Sequence, residues 1–147
     1  MNLMMLLEMA SAGFPDRVAV TDGERALRYD ELFSLAGAAA RRVRESGVKH
    51  LAVLDVSSPA VPAGLFAAAW AGVPFVPLNY RLTGEELERL TSQIAPALLV
   101  TDAERAQQLR GLPGIEAIDR AELLGAAGSP EPLEPSSWPM DPEDIAV

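Results

Sequence analysis

The residues best suited to chemistry in this sequence are one arginine and a handful of carboxylates and hydroxyls. Asn79-Tyr80-Arg81-Leu82 follows an apolar run, Phe75-Val76-Pro77-Leu78, that reads as a strand. Open α/β sheets gather ligand contacts just past the carboxyl ends of their strands, and a guanidinium placed there can clamp a phosphate. In the competing reading each residue has a structural role, with Asn79 shaping the turn, Tyr80 packing, and Arg81 pairing with Glu85 or Glu86. Ser57 and Ser58, ahead of Pro59, offer hydroxyls and amides to an anion at a helix start, or simply cap that helix. Glu85, Glu86 and Glu88 have a helical spacing that suits a solvated face better than acid/base work or a hard-metal site. Asp141, Glu143 and Asp144 read as a polar turn before a strand. His50 is the single histidine. It precedes an apolar run with no nucleophile beside it, so it reads as the polar residue opening a strand rather than as a general base. Met1, Met4, Met5 and Met9 suit core filling more than docking.

Several chemistries are excluded by motif. No G-x-S-x-G elbow is present, so a serine hydrolase of that kind is not supported. The only lysine is Lys49, and no phosphate-binding G-x-x-x-x-G-K-[ST] contains it. G-x-G-x-x-G is missing too, and the stretch Asp55 to Pro59 has no glycine where a pyrophosphate would approach. Cysteine is absent, which removes disulfides, thiolate nucleophiles and thiolate metal sites, and fits a cytoplasmic protein.

The elements that must position these residues can be read from periodicity. Leu3 to Ala12 suggests a short helix with Leu3, Leu6, Leu7 and Ala10 on one face. Arg17 to Thr21 and Arg25 to Tyr29 alternate at period two around Asp22-Gly23, a hairpin signal. From Asp30 the stripe Leu32, Leu35, Ala36, Ala39, Ala40, Val43 predicts a helix stopped at Gly47. Leu51 to Val56 is nearly continuous in apolar residues, as in a strand covered on both faces. A small-residue helix from Gly64 to Ala71, the strand Phe75 to Leu78, a helix opened by the Thr83/Glu86 capping box, and a strand Ala97 to Thr101 complete a βαβ pattern. Asp102 to Gly111 reads as a helix, Ile115 to Ile118 as a short strand and Asp119 to Ala127 as a last helix.

The 147 residues suit one core, with 49% hydrophobic residues and a mean hydropathy of +0.13. Net charge is −9, so no basic footprint for nucleic acid exists. No apolar run reaches the roughly 20 residues of a spanning helix, and none is predicted. Residues 1–127 read as an α/β body, and 128–147 as an acidic, proline-rich connection into a further strand, which Asp144-Ile145-Ala146-Val147 begins.

The order of segments resembles a known family. Pro15-Asp16-Arg17-Val18-Ala19-Val20, Leu27-Arg28-Tyr29-Asp30-Glu31-Leu32, and Ala71-Gly72-Val73-Pro74-Phe75-Val76-Pro77-Leu78-Asn79-Tyr80-Arg81-Leu82 with Glu85-Glu86-Leu87 are similar to the N-terminal portion of AMP-forming acyl-CoA synthetases, members of the adenylate-forming superfamily. Asp141 to Val147 is similar to the lead-in to that family's Ser/Thr/Gly-rich phosphate loop. The resemblance implies an α/β fold with a largely parallel sheet flanked by helices and an N-terminal hairpin. It implies ATP, Mg2+ and coenzyme A as reactants of the complete enzyme, with a carboxylic acid, fatty or otherwise apolar, as substrate. The phosphate loop, the nucleotide motifs and the lid lysine do not occur in these residues, so no catalytic and no metal-binding residue is assigned. The fragment alone is expected to be inactive and to bind none of the reactants tightly, its natural partner being the rest of the ligase chain. The Asn-x-Arg-Leu motif matches Asn79-Tyr80-Arg81-Leu82, and the resemblance implies a coenzyme A phosphate contact for Arg81. Val48-Lys49-His50-Leu51 lacks the family's usual Gly-Asp pair, and Ser57 replaces a common asparagine. A stand-alone binding module of the same fold is the alternative reading; a receiver domain lacks its acidic cluster. Self-association is left open.

Overall fold

The computed structural model describes residues 2–23, 25–125 and 138–139. Among these residues six helices and six strands run in the order α1 (Met4–Gly13), β1 (Val18–Asp22), β2 (Arg25–Arg28), α2 (Tyr29–Ser46), β3 (His50–Val53), α3 (Ala60–Ala71), β4 (Phe75–Pro77), α4 (Gly84–Ile94), β5 (Ala97–Thr101), α5 (Ala103–Leu109), β6 (Ile115–Asp119) and α6 (Arg120–Gly125). β1 and β2 form the antiparallel hairpin. The other four make one parallel sheet in the order β4-β3-β5-β6.

Period two survives inside the continuous apolar strands and sorts them onto two faces. Leu51 and Val53 of β3, with Leu98 and Val100 of β5, meet Ala39 and Val43 of α2 and Ala67 and Ala68 of α3. Ala52, Leu54, Ala97 and Leu99 turn the other way, toward Leu87 of α4 and Ala106 and Leu109 of α5. Burial on both faces is why these strands carry no polar alternation. α3 is apolar around its circumference because it lies between α2 and the sheet. Gly64 makes the close approach possible: a Cβ there would lie 3.0 Å from Val53 Cγ2.

Two differences from the sequence reading have simple causes. α3 starts at Ala60 rather than Gly64, since Pro62 falls in its first turn, where no N–H has to be donated within the helix. In α1 the inward residues are Met4 and Leu7, whereas Leu6 is 57% exposed. Asn2 sets that rotation. Its Oδ1 accepts the Met4 N–H at 2.8 Å, and its Nδ2 donates to the carbonyls of Ala69 and Pro139 at 3.0 and 2.8 Å. Met9 is 69% exposed and Met5 half-buried, so of the methionine group only Met4 is core among the described residues. Met1 and the 128–147 connection, apart from Trp138 and Pro139, lie outside them. Among the described residues no helix is long and apolar enough to cross a membrane.

Candidate functional site

The sheet order defines where a ligand would be expected. From β3 the chain moves outward to β4 and then returns past β3 to β5, with α3 on one face and α4 and α5 on the other. The connections therefore diverge between the carboxyl ends of β3 and β5, the place where open α/β sheets form a crevice.

At this end of the sheet the protein places an ion pair of its own. Asp55, two residues past β3, has a side chain only 1% exposed, and its Oδ1 lies 2.9 Å from Nη2 of Arg120. The same carboxylate accepts the Val56 N–H at 2.9 Å and the Ser58 hydroxyl at 2.7 Å. Ser58 Oγ in turn accepts the Ala60 N–H at 3.2 Å, so the serine does help to start α3, while Pro59 occupies the N-cap position itself. Ser57 is exposed. The pair spans the end of β5, where the buried Thr101 Oγ1 has no partner. Nothing in the sequence linked Asp55 to Arg120, which are 65 positions apart.

At the neighbouring edge, β4 delivers the turn Asn79 to Leu82. Asn79 shapes it, as expected: its Oδ1 accepts the Arg81 N–H at 3.0 Å and its carbonyl accepts the Leu82 N–H at 3.1 Å. The other two structural expectations fail. Tyr80 is 39% exposed rather than packed. Arg81 pairs with neither Glu85 nor Glu86, because Glu86 is engaged by Thr83, whose N–H and hydroxyl it accepts at 2.8 and 2.9 Å. Those bonds, together with the charge of Arg89, hold the Glu86 carboxyl below its ordinary range. Arg81 instead lies over the Tyr80 ring, its Cζ 5.5 Å from the centroid, with Nε donating to the phenol oxygen at 3.3 Å. Among the described residues no carboxylate is within ion-pair distance of Arg81. An exposed guanidinium that lacks a carboxylate and is braced on an aromatic ring is suited to a phosphate.

His50 opens β3, at the amino end of the sheet and away from this edge, with a buried and unpartnered Nδ1. Glu85 and Glu88 face solvent on α4. Asp141, Glu143 and Asp144 lie outside the described residues. Among the described residues no cluster of three His, Cys, Asp or Glu could hold a metal ion.

A parallel sheet wound on both faces, with an antiparallel hairpin ahead of it, defines a doubly wound α/β domain. The chain belongs to the AMP-binding enzyme family, whose profile matches residues 7–147. It is 36% identical over 98 residues to an indoleacetate–CoA ligase of Aromatoleum aromaticum, an alignment covering 65% of this chain and 19% of that protein. It is 35% identical over 138 residues to a feruloyl-CoA synthase of an Amycolatopsis species, covering 90% of this chain and 27% of the relative. The chain thus spans about a fifth to a quarter of the length of these two relatives. In fold it is similar to the N-terminal domain of FACL13 from Mycobacterium tuberculosis, with a TM-score of 0.80 at 20% identity over 92% of this chain and 38% of that one.

Proposed function

We propose that this chain is the N-terminal segment of an ATP-dependent, AMP-forming acyl-CoA ligase, and that Arg81 contacts a phosphate of coenzyme A. In such an enzyme a carboxylate oxygen attacks the α-phosphorus of ATP, the bond to the bridging oxygen breaks, and pyrophosphate leaves. The thiol sulfur of coenzyme A then bonds to the acyl carbon, the acyl–oxygen bond breaks, AMP departs and the thiol proton passes to solvent or a base. The names of the two curated relatives, an indoleacetate ligase and a feruloyl-CoA synthase, support coenzyme A as the acceptor. Their acids are aromatic, so an apolar carboxylic acid is the class proposed here, with a fatty acid one member of it.

This segment's part is binding rather than bond making. The observation that carries the reading is the Arg81 guanidinium on the turn after β4, which rests on Tyr80 and has no carboxylate partner among the described residues. It supplies paired N–H donors to a phosphate without first having to leave a carboxylate. Magnesium, expected on the phosphates of ATP, finds no ligand cluster among the described residues, and no step is assigned to it here. The transition-state electrostatics of adenylation come from the phosphate loop and lid of the complete chain.

The test is acid-dependent ATP–pyrophosphate exchange by the complete ligase, across a panel of aryl and aliphatic acids, followed by thioester formation on adding coenzyme A. Exchange with an apolar acid and CoA-dependent release of AMP are expected. Exchange without any transfer to coenzyme A would overturn the acceptor assignment.

A further inference from the structure

The turn that carries Arg81 is secured by a residue from a different part of the chain. Arg105 stands in the first turn of α5 and donates from Nη2 to the carbonyl of Tyr80 at 2.6 Å. Asp102, the N-cap of α5, orients it: Asp102 Oδ1 accepts the Arg105 N–H at 2.9 Å, and its Oδ2 lies 3.8 Å from the guanidinium Nε. The Tyr80 carbonyl and the Arg81 N–H belong to one peptide unit. That unit is therefore gripped at both ends, at the oxygen by Arg105 and at the N–H by Asn79 Oδ1, 3.0 Å away. A planar peptide held at both ends fixes the position of the next Cα, and the Leu82 N–H bond to the Asn79 carbonyl, which closes the turn just beyond it, restricts the rotation that aims the Arg81 Cα–Cβ bond. No apolar packing could do this, because Tyr80 and Arg81 are both exposed. A charge-assisted hydrogen bond from the rigid start of a helix supplies what packing does not.

We propose that Arg105 is a positioning residue that sets the aim of Arg81, acting through the Tyr80 carbonyl without itself touching the ligand. The proposal rests on the assignment of Arg81 to a coenzyme A phosphate. It predicts that Asn79 and Arg105 act on coenzyme A only through Arg81.

The experiment is a double-mutant cycle in the complete ligase, reading KM for coenzyme A and the rate of ATP–pyrophosphate exchange separately. Arg105→Ala is expected to raise KM for coenzyme A by about threefold to tenfold while exchange holds. Asn79→Ala, which frees the other end of the same peptide, is expected to act alike. In an Arg81→Ala background neither change should raise KM further. Effects of Arg105→Ala and Arg81→Ala that multiply contradict positioning, as does a loss of exchange equal to the loss with coenzyme A. An Arg81→Ala enzyme with unchanged KM sinks the ligand assignment itself, a different result from additivity.

Discussion

Asp55 is a carboxylate withdrawn from water, and what keeps it there is three donors, one of them charged. Removing the charged partner leaves a buried anion with two neutral hydrogen bonds, a far costlier state than losing a surface pair. Arg120→Ala is expected to destabilise the fold by about 2–3 kcal/mol in urea unfolding. Arg42→Ala, which removes pairs to the half-exposed Glu116 and Glu122, should cost less than about 1 kcal/mol. Equal costs would contradict the weight given to burial. Legibility at this scale follows sequence distance. Asn79 as a turn former and Thr83 with Glu86 as a cap were readable because their partners lie within three positions. The hold of Arg105 on the Tyr80 carbonyl was not, since it arrives from 25 positions away; the freedom of Arg81 from Glu86, by contrast, follows from the capping box itself.

α4 shows how a helix end can respond to pH. Glu86 accepts two hydrogen bonds from Thr83 in its charged form, the backbone N–H contributing most and the hydroxyl next. Its folded pKa is lowered, so its stabilisation is present above the unfolded value and is lost as pH falls through the folded one. The melting temperature of Glu86→Gln, which keeps an acceptor but cannot ionise there, should therefore converge on that of the parent as pH falls below the ordinary glutamate range. Divergence as pH falls would contradict the assignment. Thr83→Ala should cost about 1 kcal/mol at neutral pH.

A second end, that of α3, is closed by Gly72 at φ +79, where an added Cβ would lie 2.9 Å from Pro139 Cγ. Gly47, which ends α2 at φ +66, has nothing within 4 Å of that position. Gly47→Ala should cost about 1 kcal/mol for backbone alone. Gly72→Ala should cost more, by the amount needed to displace Pro139, and equal melting temperatures for the two variants would count against that contact. Both stops were legible from glycine after an apolar stripe. The hold on Trp138, which meets the Trp70 ring edge-on at 5.4 Å, was not, because an aperiodic segment gives no sign of where it docks.

At the scale of the whole molecule, the sheet was readable because strands buried on both faces leave apolar runs separated by helical stripes, and parallel order follows from alternation. The strand order, and with it the meeting of Asp55 and Arg120, was not written in any one segment. The chain holds a net charge of −9, yet among the described residues Arg81 has no carboxylate within ion-pair distance at the sheet edge, which gives a charged ligand a local target against the overall sign. The 147 residues alone are expected to form no acyl-adenylate from ATP and any acid. Product detected by mass spectrometry would contradict that. The central claim is tested most directly by the KM for coenzyme A of the complete ligase carrying Arg81→Ala, at saturating ATP and acid. The account predicts a rise of about tenfold with ATP–pyrophosphate exchange unchanged; a KM equal to that of the parent enzyme would contradict it.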